Sequence, residues 1–260
     1  MGSIVFYPMS FDKSITIQVG GEQSGYPIEN LEDGNWNTTW MNGNDTEAVQ
    51  IDFDFGTGIK PVWFCIGNHN LTDTGKGIKL SQGDTGVGAA YNELEFLIGN
   101  GGYHDYVSAN SGLWIETFSA PNSAERYYRL YIEDTTGTKP EIAFISMGTT
   151  VFTMNLNYSL GASLGRFYGT EKRITTGGQV KSNQLHGVKE QFQLSFDDIA
   201  ETDKGFFDAI FTQIQGSLYP FVFTDIDGTN YYVRKQEENN FHDLVEYQIY
   251  NKQWTLIEEN

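Results

Sequence analysis

Apolar and polar residues alternate with a period of two along much of the first 150 residues. In "AVQIDFDF", Val49, Ile51, Phe53 and Phe55 fall on one side and Gln50, Asp52 and Asp54 on the other. That is the period of a half-buried strand, because successive strand side chains point to opposite faces. "KPVWFCIGNHNL", "GIKLSQG", "NELEFLIG", "GLWIETFS", "ERYYRLYIED" and "EIAFISMG" predict further strands. Polar, Gly-rich connections such as "SQGDTGVGAAYN" and "IGNGGYHDYVSANSG" separate them and read as surface loops. Seven or eight such strands in about 150 residues describe a β-sandwich or jelly roll. After residue 150 the period changes. In "TDKGFFDAIFTQIQG", Phe206, Phe207, Ile210, Phe211 and Ile214 share one face at helical spacing, which predicts a helix over about 203–215 with Thr202 or Asp203 as N-cap and Gly216 as the stop. Around it, "QFQLSFDDI" alternates, and hairpin turns are expected at Asp227-Gly228 and Asn251-Lys252. The chain therefore divides into 1–150 and 151–260, and the fold class is mainly β: a β-sandwich followed by a β-sandwich or barrel domain with one packed α-helix.

Composition sharpens this picture. Aromatic residues make up 15% of 260 residues, enough for packed cores and against disorder. A formal net charge of −18 repels phosphates and anionic lipid surfaces, so nucleic acid is not an expected partner. No run of about 18 apolar residues occurs, and no charged-plus-apolar leader follows Met1, so membrane insertion is not expected. Cys65 is the sole cysteine and lies in an apolar run, which predicts a buried thiol.

The order of four segments carries a resemblance over the first 150 residues. "YPIENLEDGNWNTTW", "VQIDFDFG", "VWFCIGNHNL" and "ERYYRLYIED" followed by "KPEIAFISMG" resemble the galactose-binding-like jelly rolls, which include discoidin domains, coagulation-factor C-type domains and many carbohydrate-binding modules. The resemblance implies a corner in which Asp33, Thr38 and Glu141 surround a structural calcium ion. The same side chains also suit a corner held by hydrogen bonds alone, and calcium asks for six to eight oxygens. The phrase "NHNL" before "TDTGKG" resembles jelly rolls of bacteriophage tail proteins. "GRFYG", "EQFQLSF", the helix, "YPFVF" and "QWTLIEE" resemble tail-tube and distal-tail domains.

Catalytic chemistry is not expected. His69, His104, His186 and His242 have no metal-ligand spacing with one another or with Cys65. The chain lacks a P-loop, and the Gly-rich "GNGGYHD" sits between strands. Recognition is the remaining chemistry. Tyr26, Trp36, Tyr103 and Trp114 suit stacking on sugar faces where loops expose them. Asn68, His69 and His104 offer hydrogen bonds to hydroxyls or to a partner protein. His69 equally suits a structural role, bonding a backbone carbonyl at its strand end, and Trp40 reads as a core plug. In the second domain, Arg166, Lys172, Arg173 and Lys181 form a basic segment in an acidic chain, and "YPFVF" is apolar for an exposed edge. These residues, with Phe221, are the expected oligomer interface. The expectation from sequence is a structural virion protein of a phage tail, at the distal tail or baseplate or as a minor tail protein. It would form a ring-like homo-oligomer that meets other tail proteins and displays the jelly roll to them or to host-surface glycans. The alternative is a carbohydrate-binding module outside any virion.

Overall fold

A computed structural model describes residues 3–9, 14–44, 48–71, 77–98, 112–133, 138–154, 158–159, 162–174, 180–240 and 242–259. Chain contacts divide it into two units, residues 7–151 and a second unit of 152–260 joined by residues 1–6. The first strand, β1 (Val5–Pro8), pairs with the strand at Phe152–Thr153, so the chain opens in the sheet of the second unit. The sequence-based domain that began at residue 1 is corrected accordingly. The signal was weak because four residues carry too little periodicity to choose a sheet.

The 7–151 unit holds β2 (Ser14–Val19), β3 (Trp40–Met41), β4 (Val49–Ile59), β5 (Trp63–His69), β6 (Ile78–Gly83), β7 (Glu93–Ile98), β8 (Leu113–Thr117), β9 (Glu125–Ile132) and β10 (Glu141–Gly148). They form two sheets with strand orders β2-β4-β9-β6-β7 and β3-β10-β5-β8. Both sheets send apolar side chains into one core, in which Ile51, Phe53, Leu80 and Leu130 meet Trp40, Phe64, Ile66 and Ile145. This is the expected β-sandwich. Cys65 is fully buried, as its apolar run predicts. Gly67 and Phe144 face each other across β5 and β10, and a Cβ on Gly67 would lie 2.1 Å from the Phe144 ring. The missing side chain lets that ring lie over the strand.

The outer face of the five-stranded sheet departs from simple alternation. Asp52, on the polar side of β4, is fully buried and receives a bidentate Arg129 at 2.5 and 2.8 Å. Asp52 also accepts the Gly88 N–H at 2.6 Å, Arg129 donates to the Gly88 carbonyl, and its guanidinium lies 4.2 Å from the Tyr91 ring centre. The polar loop around Gly88 is thereby fastened over the sheet. Hydrogen bonding to Asp52 holds Arg129 firmly protonated, and burial pushes the Tyr91 hydroxyl well above its ordinary range.

The second unit continues with β11 (Phe152–Thr153), β12 (Ser163–Ile174), β13 (Val180–Ala200), the helix α1 (Glu201–Gln213), β14 (Phe221–Thr224), β15 (Asn230–Lys235), β16 (Asp243–Glu246) and β17 (Ile249–Glu258). The strand order is β11-β1-β14-β15-β17-β13-β12, with β16 also paired to β17. α1 packs Phe207, Ile210 and Ile214 onto the sheet, where Phe207 meets Phe196 at 4.9 Å and Trp254 at 5.0 Å between ring centres. The helix starts earlier than expected, with Ala200 at the N-cap position and Asp203 buried within the first turn. Its end is as expected: Gly216 has φ +76° and donates to the Phe211 carbonyl, a closure that glycine permits.

Two expectations in this unit fail. Asn251 and Lys252 lie inside β17, and the chain reverses instead at Tyr247-Gln248, where Gln248 has φ 60°. Phe221 is fully buried in the unit's own core, because β14 lies between β1 and β15 rather than at an edge. The apolar "YPFVF" is therefore satisfied within the chain, and the expected interface role for Phe221 is withdrawn.

Candidate functional site

The segment from Asp33 to Trp40 builds a corner of the jelly roll. Asp33 accepts the Asn35 N–H at 2.7 Å through one carboxylate oxygen and the Thr38 hydroxyl at 2.6 Å through the other. Asn35 repeats the motif by accepting the Asn37 N–H at 3.0 Å. Such side-chain-to-backbone bonds two residues apart stabilise consecutive tight turns. The corner then enters β3, where Trp40 is fully buried in the core, as its reading as a plug requires.

The three residues expected to share a calcium ion make different hydrogen bonds. Thr38 bonds Asp33, whereas Glu141 accepts the hydroxyl of the neighbouring Thr39 at 2.8 Å. Register explains the difference, since Glu141 pairs with Met41 and Ile142 with Trp40, which brings Thr39 beside β10. Both Asp33 oxygens already serve the turn, and no group of three or more His, Cys, Asp or Glu converges among the described residues. In this structure Asp33 with Thr38, and Glu141 with Thr39, tie the corner by hydrogen bonds.

Trp36 sits on this corner, half-buried, and is fixed from three sides. Its carbonyl accepts the Asn68 side-chain amide at 2.8 Å, and its ring lies 6.0 Å from Phe144. Asn68 has φ 42°, a left-handed conformation that asparagine tolerates, and this turns its amide toward the corner. Gly112, at φ +75°, has room for no more than a Cβ 3.6 Å from the Trp36 ring. Trp36 and Asn68 are thus brought together by the structure, with Gly112 as a neighbour that sequence reading missed. The signal was there in principle: a glycine just before a strand marks either a turn or a close approach, and only the fold tells which.

His69 stands next in the chain and is half-buried. Its Nδ1 accepts the Leu71 N–H at 3.3 Å, which puts the ring proton on Nε2 and makes the imidazole an acceptor, not the expected donor to a carbonyl. Asn70, expected from the sequence beside Asn68 and His69 in a hydrogen-bonding loop, clamps the same bend: its amide donates to the Lys139 carbonyl at 2.8 Å and its oxygen accepts the Glu141 N–H at 2.9 Å. Trp114 is 5% exposed and packs edge-on against Phe64 at 6.1 Å, so it belongs to the core and not to a contact surface. Alternation along β8 turns it inward. Tyr26 is half-buried in a turn that Gln23 ties to Met41 and Lys139. Tyr103 and His104 lie outside the described residues.

In the second unit, Arg166 is exposed on β12 opposite Glu190 of β13. Lys172 and Arg173 occupy β12 and Lys181 occupies β13, with Arg173 opposite Lys181. The side chains of 167–173 and 181–187 lie outside the description. The basic segment is therefore a strand pair rather than a loop. β13 pairs with β17 only from Gln191 onward, so from Arg166–Glu190 to Ile174–Val180 the two strands form a ribbon with no third strand among the described residues. At about 3.4 Å per residue that ribbon extends roughly 30 Å.

No protein-family model and no curated protein matches this chain. Among solved structures, it is similar to chitosan-binding module 1 of a chitosanase/glucanase from Paenibacillus sp. IK-5, at 16% identity over 53% of this chain and 95% of that one, with a TM-score of 0.40. It is also similar to the family 32 carbohydrate-binding module of Clostridium perfringens NanJ in complex with galactose, at 17% identity over 55% and 98% with a TM-score of 0.40. A third is the CBM32 of AlyQ in complex with 4,5-unsaturated mannuronic acid, at 20% identity over 56% and 98%, again with a TM-score of 0.40.

Proposed function

We propose that this chain is a non-catalytic assembly and display protein, in which the second unit joins copies together and the jelly roll faces outward for contact. The observation that carries this reading is the unsupported β12–β13 ribbon, which leaves Ile174, Val180 and Val188 at 45–76% exposure. A two-stranded ribbon is marginally stable alone in water, and exposed strand edges invite pairing with another chain. The setting that matches the sequence resemblance of both units is the tail of a bacteriophage, as a distal-tail, baseplate or minor tail component. Its partners there are further copies and other tail proteins, with host-surface glycans as the target of the jelly roll.

A free-standing carbohydrate-binding module is the second reading. The Trp36 corner favours it, since an indole fixed at a loop end beside an asparagine suits stacking and hydrogen bonding to a sugar. Two measurements on one sample separate the readings: mass photometry of the full chain and binding to an immobilised glycan array. Multiple copies without added sugar support the assembly protein. A stable monomer that binds a glycan would establish the second reading.

A further inference from the structure

Among the described residues, ten large apolar side chains are exposed, and seven of them fall in two places of the second unit. Ile174, Val180 and Val188 lie on the ribbon, and Leu164 lies on β12 just before it. Leu244, Val245 and Tyr247, at 66%, 58% and 83% exposure, lie on β16 and its turn into β17. The two places carry opposite charge. Residues 163–190 contain Arg166, Lys172, Arg173, Lys181 and Lys189 against Glu171 and Glu190, in a chain with only 16 Lys and Arg and 34 Asp and Glu. Residues 237–247 contain Glu237, Glu238, Asp243 and Glu246 and no Lys or Arg. Lys235 engages Glu237 at 3.4 Å, which leaves the exposed Glu238, Asp243 and Glu246 to set the sign of that surface. His242 adds no positive charge at neutral pH, because burial lowers its pKa below the ordinary histidine value.

Both places are also strand termini of the sheet. β12 is its last strand, and β16 pairs with β17 alone, so each has a backbone edge that no described strand covers. Apolar area supplies attraction, opposite charge supplies orientation, and open strand edges supply hydrogen bonds.

We propose that the ribbon of one copy docks on the β16–β17 hairpin of a second copy, with Ile174, Val180 and Val188 meeting Leu244, Val245 and Tyr247. This rests on the assembly reading above and adds the acceptor surface and the sense of the contact. Donor and acceptor are different surfaces, so the contact is heterologous and leads to a ring or an open filament rather than a two-fold dimer.

The test compares full-length variants after nuclease treatment, by analytical ultracentrifugation at low and high salt. Arg166→Glu with Lys189→Glu, and separately Asp243→Lys with Glu246→Lys, are each expected to weaken association at least tenfold, with the wild-type contact weakening as salt rises. Mixing the two double variants is expected to restore association as assemblies of alternating copies, because the reversed ribbon meets the reversed hairpin and the native ribbon meets the native hairpin. Leu244→Asp checks the apolar part; circular dichroism should be unchanged, since the side chain is exposed. A wild-type oligomer unaffected by these changes would overturn the proposal while leaving the assembly reading intact. A wild-type chain that is already monomeric would sink both, and an oligomer that vanishes on nuclease treatment would assign the ribbon to nucleic acid.

Discussion

Single residues show where the physical chemistry of this chain is unusual. Lys252 is 2% exposed, and burial followed by repulsion from Lys235 lowers its pKa to about 8. Below pH 8 the folded and unfolded chains both hold the proton, and the cost of a buried charge is constant. From about pH 8 to the ordinary lysine value of 10.5 the unfolded chain holds more protons, so this residue makes stability rise with pH. Lys252→Met is therefore expected to stabilise the second unit by roughly 1–3 kcal/mol at pH 7, with the gain shrinking toward pH 10.5 in denaturant titrations. Asp52 has the opposite character. Its charge is compensated by Arg129 and the Gly88 N–H, so Asp52→Asn leaves a buried guanidinium without its counter-ion. A loss of about 3 kcal/mol from the jelly roll, read by urea unfolding, is expected, together with faster proteolysis in the loop around Gly88. Neither residue was legible as special from the sequence. Asp52 reads as the polar half of an alternating strand, and its partner lies 77 residues away; Lys252 reads as part of a turn.

Elements were more legible than residues. The strands from β4 to β10 and the helix α1 follow directly from period-two and period-3.6 patterns, since each buries one face against a neighbour. β1, β2 and the long β12 escaped because short runs, or runs rich in Gly, Thr and charge, do not alternate against a core. From Arg166 to Ile174, β12 and its partner have no third described strand beside them. The candidate site divides the same way: Asp33, Thr38 and Trp40 follow from a recognisable corner, whereas Thr39 and Gly112 act through register and close approach that only the fold reveals. The placement of β14 reverses the meaning of one variant. Phe221→Asp puts a charge in the core beside Phe6 and Trp254, so it is expected to unfold the second unit rather than dissolve a contact. Thermal melts should keep the jelly-roll transition and lose the other, while Leu244→Asp should keep both.

At the scale of the whole molecule, charge and apolar exposure are unevenly shared. A chain of net charge −18 concentrates five of its 16 basic residues in residues 163–190, where four of the exposed apolar side chains also lie. Self-repulsion of the acidic remainder disfavours random association, and the ribbon offers one oriented contact. A cryo-EM density map of the assembled chain tests this account most directly. The account predicts several copies per particle with each 163–190 ribbon lying against a neighbouring copy; particles of a single copy, or ribbons extending into solvent within an oligomer held together elsewhere, would contradict it.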